Sequence, residues 1–150
     1  MSNIKLNKIF KTVCIASDHA GFNLKENIKN YLIDKSVSVF DLGPYNNNSV
    51  DYPKYAKKLG NRIKLNKSDV GILVCGSGTG MAISANKIKT IRAAVCYNLR
   101  STRLSRQHNN ANIIALGARL TKKKLSLKLV ETFLMTKFEG GRHLKRVKKI

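Results

Sequence analysis

Cys75-Gly76-Ser77-Gly78-Thr79-Gly80 sets a thiol directly ahead of a turn with glycines at alternate positions. Such a turn lets several backbone N–H groups approach a ligand with no Cβ in the way. A helix starting near Thr79 or Met81 adds its unpaired N–H groups and its positive end. The stretch therefore reads as an anion cradle with a sulfur at its rim, a setting that favours the thiolate form. The competing reading is a plain tight connection from strand to helix. Nucleotide loops fit poorly: no Lys-Ser/Thr follows as a Walker loop requires, and no early strand carries GxGxxG, so ATP and NAD are not supported.

The other candidates are polar residues at strand ends. Asp18 and His19 follow a short apolar run, Tyr45 follows a second, and Arg119 follows the last. Asp18 could equally cap the helix beginning near Ala20, and His19 and His108 could each be polar loop residues. Arg142 and Arg146, four apart, form either a solvated face with Lys145 or a fork for phosphate. Cys14 and Cys96 read as packed small hydrophobes. Three cysteines without CxxC, joined with only three histidines, give no disulfide framework and no zinc spacing.

Strands and helices in alternation must position these groups. Strands are expected at Thr12–Ala16, Val37–Phe40, Val70–Val74, Ile91–Cys96 and Asn112–Leu116. Helices are expected from Phe22 to about Ile33, from Pro53 through Ile63, over Thr79–Lys87, Asn98–Arg106 and Lys122–Lys137, and in a short final piece holding Arg142 and Arg146. Residues 1–10 read as a polar lead-in expected to fray. The pattern implies βαβ units. The expected fold is α/β, one three-layer αβα domain over residues 1–150 with a five-stranded parallel Rossmann-like sheet.

In such sheets ligands bind outside the carboxyl ends of the strands. Asp18, His19, Tyr45, Cys75 to Gly80 and Arg119 share that edge. His108 falls between the fourth helix and the fifth strand, at the opposite edge of its own subunit, so a catalytic His108 must reach the site of a two-fold partner.

Composition narrows the classes. The chain has 150 residues, 43% of them hydrophobic, and only two prolines, enough for one core and unlike a disordered protein. No apolar run approaches a membrane span and no secretory signal is evident, so a cytoplasmic location is the expectation. The formal charge of +21, from 29 Lys and Arg against 8 Asp and Glu, gives weak, salt-dependent affinity for polyanions. The lysines are scattered, however, and no recognition motif accompanies them, so a basic nucleic-acid-binding module is the lesser alternative.

Taken together, Ser17-Asp18-His19-Ala20-Gly21-Phe22, Asp51-Tyr52-Pro53, Gly71 to Gly80, Ala85-Asn86-Lys87, Leu104 to Asn109, Leu116-Gly117-Ala118-Arg119 and Phe138 to His143 with Arg146 closely resemble the B-type ribose-5-phosphate isomerases. That family lies within a wider group that includes galactose-6-phosphate isomerase subunits. The resemblance implies interconversion of ribose 5-phosphate and ribulose 5-phosphate through a cis-enediolate, with no cofactor and no metal. By the same resemblance Cys75 is the base that moves a proton between C2 and C1, assisted by Ser77, and the N–H groups of Gly76, Ser77, Gly78, Thr79 and Gly80 receive the developing oxyanion. His108 opens the furanose ring, with Asp18 near the ring oxygen or hydroxyls. Asn109 and Tyr45 contact the sugar, while Arg119, Arg142, Arg146 and His19 surround the phosphate. The implied assembly is a homodimer with shared sites, dimer versus tetramer left open. Allose 6-phosphate and galactose 6-phosphate are the competing substrates.

Overall fold

The computed structural model describes residues 9–67 and 69–150; most of the lead-in expected over residues 1–10 lies outside them. The elements run β1 (Val13–Ser17), α1 (Phe22–Asp34), β2 (Val39–Asp41), α2 (Tyr52–Leu65), β3 (Val70–Cys75), α3 (Thr79–Asn86), β4 (Ala93–Val95), α4 (Leu99–Gln107), β5 (Ile113–Gly117), α5 (Lys123–Met135) and α6 (Gly141–Val147). All strand pairs are parallel, in the order β2-β1-β3-β5-β4. The α/β expectation holds in strand number, direction and layering.

Alternation along the strands divides the core between two faces. Val13, Ile15, Val70, Ile72 and Val74 pack with Ile28 and Leu32 of α1 and Leu129 and Phe133 of α5. Cys14, Ala16, Leu73 and Cys75 point the other way, against Ala56, Leu59 and Ile63 of α2 and Met81 and Ala85 of α3. The three central strands β1, β3 and β5 are buried along their whole length, so they read as continuous apolar runs.

The two edge strands are shorter than their apolar runs. The run Ile91–Cys96 forms ladder only over Ala93–Val95, because Ile91 N–H bonds back to the Ile88 carbonyl and Arg92 N–H donates to Asn112 Oδ1. Val37 is likewise held by the turn, its N–H donating to the Leu32 carbonyl, and β2 begins at Val39.

Strand order reverses between β1 and β3, the place where doubly wound sheets open a crevice. Here the chain leaving β1 is drawn tightly across: Asp18 N–H donates to the Val74 carbonyl at 3.1 Å, and a Cβ built on Gly21 would lie 2.3 Å from that same oxygen. The close approach requires glycine at 21 and fixes Asp18 beside the end of β3.

Candidate active site

Cys75 is the last residue of β3, 5% exposed, and its side chain lies on the α2/α3 face at the carboxyl edge. The turn after it brings Gly78, at φ +82°, to the N-cap of α3, and a Cβ there would also press on the Leu116 backbone. This conformation aims Gly78 N–H at Cys75 Sγ, 3.1 Å away.

The cradle divides its donors. Gly78 serves the sulfur and Thr79 N–H donates to Ser77 Oγ at 3.3 Å. The N–H groups of Gly76, Ser77 and Gly80 have no partner among the described residues and remain available to an oxyanion. Tyr97, beyond β4, clamps the turn from outside by donating its hydroxyl to the Ser77 carbonyl at 3.0 Å.

A cleft of about 340 Å³ opens over this turn, lined by Asp18, Tyr52, Cys75, Gly76, Ser77, Gly80, Arg119 and Leu120. Asp18 is buried and accepts from Gly21 N–H at 2.9 Å, so it ties down the approach to α1 as well as facing the cleft. Arg119 lies over Gly76, its Nη1 3.3 Å from where a Cβ would stand. Tyr52 packs its ring against Gly80 and also lines a neighbouring cleft with Asp18 and His19. His19 Nδ1 accepts from Val50 N–H at 3.2 Å. Tyr45 is 72% exposed, its hydroxyl donates to the Asp41 carbonyl, and it lines neither cleft.

The remaining expected residues gather elsewhere. His108 caps the C-terminus of α4, where the chain has returned to the amino edge. Its ring stacks on that of His143, with centroids 4.2 Å apart and planes 8° from parallel. Glu139 Oε2 lies 3.5 Å from His143 Nε2 and 3.9 Å from His108 Nε2. Glu139 N–H donates to the Gln107 carbonyl, fastening the α6 segment, which carries exposed Arg142 and Arg146, to the end of α4. Burial, together with the neighbouring charges of His108 and Arg142, holds His143 below the ordinary imidazole range and hence neutral at pH 7. The grouping of two imidazoles and a carboxylate has metal-ligand chemistry. Ring lone pairs lie in the ring planes, however, and one ion cannot sit in two parallel, stacked planes.

One chain thus carries two sets of groups: thiol, amides, Asp18, His19 and Arg119 at the carboxyl edge, and His108, Asn109, Arg142 and Arg146 at the amino edge. Sequence reasoning missed Tyr52, Tyr97, Glu139 and His143 as contributors. Tyr52 and Tyr97 had a usable signal, since each stands on the carboxyl-edge side of its element, and Glu139 stands one helical turn before His143.

The other two thiols are distinct in setting. Burial, then the Asp69 charge, pushes Cys14 up to about 11, and burial also raises Cys96, so both remain thiols at neutral pH.

Behind the carboxyl edge Lys25 is fully buried and donates to both oxygens of Asp41, to Glu26 and to the Pro44 carbonyl. Burial alone would raise the Asp41 carboxyl, but bonds from Lys25, Lys29 and Gly43 N–H outweigh it and leave Asp41 below its ordinary value. A folded value below the unfolded one means the stabilisation is fully present above about pH 4 and drains away as pH falls through the folded value. Asp41→Asn is expected to cost about 3 kcal/mol at pH 7, since it strips a buried ammonium of its main counter-charge. Urea unfolding at pH 7 and pH 3 tests this: the variant's loss should shrink at the lower pH, and an equal loss at both would contradict it.

A doubly wound α/β chain that seats a sulfur beside main-chain amides unpartnered among the described residues, next to the topological switch, has the ground plan of the α/β proteins that bind small ligands at the carboxyl edge of the sheet. Comparison with known proteins specifies the group. The family model described as Ribose/Galactose Isomerase matches residues 13–150. The chain is 41% identical to ribose-5-phosphate isomerase B of Escherichia coli (strain K12) over 140 residues, covering 93% of this chain and 94% of that protein. The crystal structure of a ribose 5-phosphate isomerase from Thermotoga maritima is 52% identical, with TM-score 0.90, covering 92% of this chain and 95% of the other. That of ribose-5-phosphate isomerase B from Mycoplasma genitalium with bound ribulose-5-phosphate is 41% identical, with TM-score 0.89 and 92% of each chain covered. The chain belongs to the Ribose/Galactose Isomerase family.

Proposed function

We propose that this chain is a ribose-5-phosphate isomerase that works in the cytoplasm as a homodimer and interconverts D-ribose 5-phosphate and D-ribulose 5-phosphate. The observation that carries the reading is Cys75 Sγ held by Gly78 N–H at 3.1 Å beside the unpartnered amides of Gly76, Ser77 and Gly80. Three buried free cysteines suit a reducing compartment.

The reaction begins at the furanose. The partner's His108 takes the proton of the C1 hydroxyl and returns it to the ring oxygen, so the C1–O4 bond breaks and an aldehyde forms. Asp18 holds the sugar hydroxyls at the mouth of the cleft. The Cys75 thiolate then removes the proton from C2; the C–H electron pair becomes the C1–C2 double bond, and charge moves to the C1 oxygen. The waiting amides receive that charge, and donors aimed in advance at a developing oxyanion lower the barrier by about 3 kcal/mol apiece. Cys75 returns its proton to C1 while the C2 hydroxyl proton passes to the C1 oxygen, leaving the C2 ketone. Ser77, adjacent to the sulfur, assists this exchange.

Phosphate anchoring makes the proton transfer efficient. Arg119 and His19 approach from one subunit, and Arg142 and Arg146 of the partner subunit from the other. Binding energy at that remote group fixes a flexible sugar in the reactive pose. Neither edge of a single chain holds all four groups, and this supports an assembly in which amino edge meets carboxyl edge. Glu139 and neutral His143 orient the ring of His108.

The test is a parallel assay of the purified protein, with chelator present, on ribose 5-phosphate, allose 6-phosphate and galactose 6-phosphate. The expected result is highest kcat/KM on the pentose. A hexose phosphate preferred over ribose 5-phosphate would overturn the substrate assignment, and no turnover of any of the three would overturn the activity.

A further inference from the structure

Arg106 is a guanidinium withdrawn almost wholly from water, 3% exposed, and the isomerisation gives it no task. Its Nε donates to the Thr136 carbonyl at 3.2 Å, and its Nη1 to Asn110 Oδ1 at 3.0 Å and to the Ala111 carbonyl. The rings of Phe10 and Phe133 lie 4.8 and 5.5 Å from its central carbon. Every one of these partners is neutral. Half-buried Arg92 stands close by, its Nε shared by the Asn109 and Asn110 carbonyls and its Nη1 donating to the Thr90 carbonyl. Burial, then the positive charge of Arg92, pushes Arg106 down to about 10, so both arginines remain cationic at neutral pH.

No carboxylate forms an ion pair with either arginine among the described residues. The residues outside that description, 1–8 and 68, include no Asp or Glu. Two guanidiniums without a counter-ion in a poorly hydrated setting are costly to hold. Both front a cleft of about 350 Å³ at the amino ends of the strands, which Lys67, Thr90, Asn110 and Asn112 also line. Asp69 reaches the same cleft, but its Oδ2 is 3.3 Å from Arg62 and the residue is 4% exposed. The lining therefore holds three cations against one carboxylate already engaged. Nη2 of Arg92 and of Arg106 and the side-chain Nδ2 of Asn110 donate to nothing among the described residues.

We propose that this cleft is a second anion site, one that takes a small phosphate dianion between Arg92 and Arg106, apart from the cradle at Cys75. Guanidinium forks match phosphate oxygens two at a time, and a dianion answers two buried cations where a single carboxylate would answer one. The cleft has room for more than one phosphoryl group, so inorganic pyrophosphate is the probe.

Thr90 supplies a discriminating pair of variants. It is exposed, lines the cleft, and sits at φ 78°, a backbone region that Asn and Asp enter more readily than a β-branched residue. Thr90→Asp installs a carboxylate at the site, whereas Thr90→Asn makes the same backbone change without charge. Calorimetric titration of wild type and both variants with pyrophosphate, at constant ionic strength, reads the result. Wild type and Thr90→Asn are expected to bind one pyrophosphate per chain that Thr90→Asp binds at least tenfold more weakly. In phosphate-free buffer Thr90→Asp should also melt at a higher temperature than Thr90→Asn. Equal binding by wild type and Thr90→Asp, or equal loss in both variants, would overturn the proposal.

Discussion

Cys75→Ala is expected to lower kcat for ribose 5-phosphate by about a thousandfold while leaving the dissociation constant within a few-fold of wild type. Positioned general bases contribute about 10² to 10⁴ in rate, and no other titratable side chain on the cleft lining combines a β3 terminus with an amide aimed at it. Substrate affinity should survive because the phosphate contacts proposed for the arginines and His19 are left untouched. The thiol accepts from Gly78 N–H, so its loss also frees that amide; a thermal melt distinguishes a loosened turn from a missing base. Turnover within threefold of wild type would remove Cys75 from the chemistry.

The second large effect is expected at the phosphate. Arg142→Ala combined with Arg146→Ala should reduce kcat/KM for ribose 5-phosphate by about 10² to 10⁴, from two charge-assisted hydrogen bonds worth about 1.5–3 kcal/mol each. The same double variant should treat unphosphorylated ribose much as wild type does, because its penalty falls only on a substrate that offers the anion. Both side chains are exposed on α6 and make no ion pair among the described residues, so folding should be little affected. An equal loss on both sugars would mean that the arginines shape the fold or the His108 cluster instead.

The parts of this molecule visible in the sequence are those governed by local chemistry. β1, β3 and β5 are long apolar runs because both faces are covered, and Gly78 announces the turn because the backbone there needs positive φ. The placement of His108 at the amino edge also followed from element order alone. The edge strands were overextended because Ile91 and Arg92 carry strand-like composition, yet bonds to Ile88 and Asn112 claim their N–H groups. Tertiary facts left no local mark. Nothing around Lys25 in the sequence marks it as fully buried beside Asp41 while other described lysines are exposed, and the stacking of His143 on His108 joins residues 35 positions apart in the numbering. The division of labour within the cradle, with Gly78 given to sulfur, Thr79 to Ser77 Oγ, and Gly76, Ser77 and Gly80 unpartnered among the described residues, likewise depends on the actual turn.

The proposed site is completed by two subunits, and subunit exchange between inactive variants tests this directly. Cys75→Ala and His108→Ala protomers, each nearly inactive alone, are mixed in equal amounts and allowed to exchange, with exchange verified by mass-tagged chains. Random reassortment makes half of the dimers mixed, and each mixed dimer holds one site with Cys75 from one chain and His108 from the other. Recovery of about one quarter of wild-type activity is the predicted result. Complete exchange with no recovery would contradict the shared site.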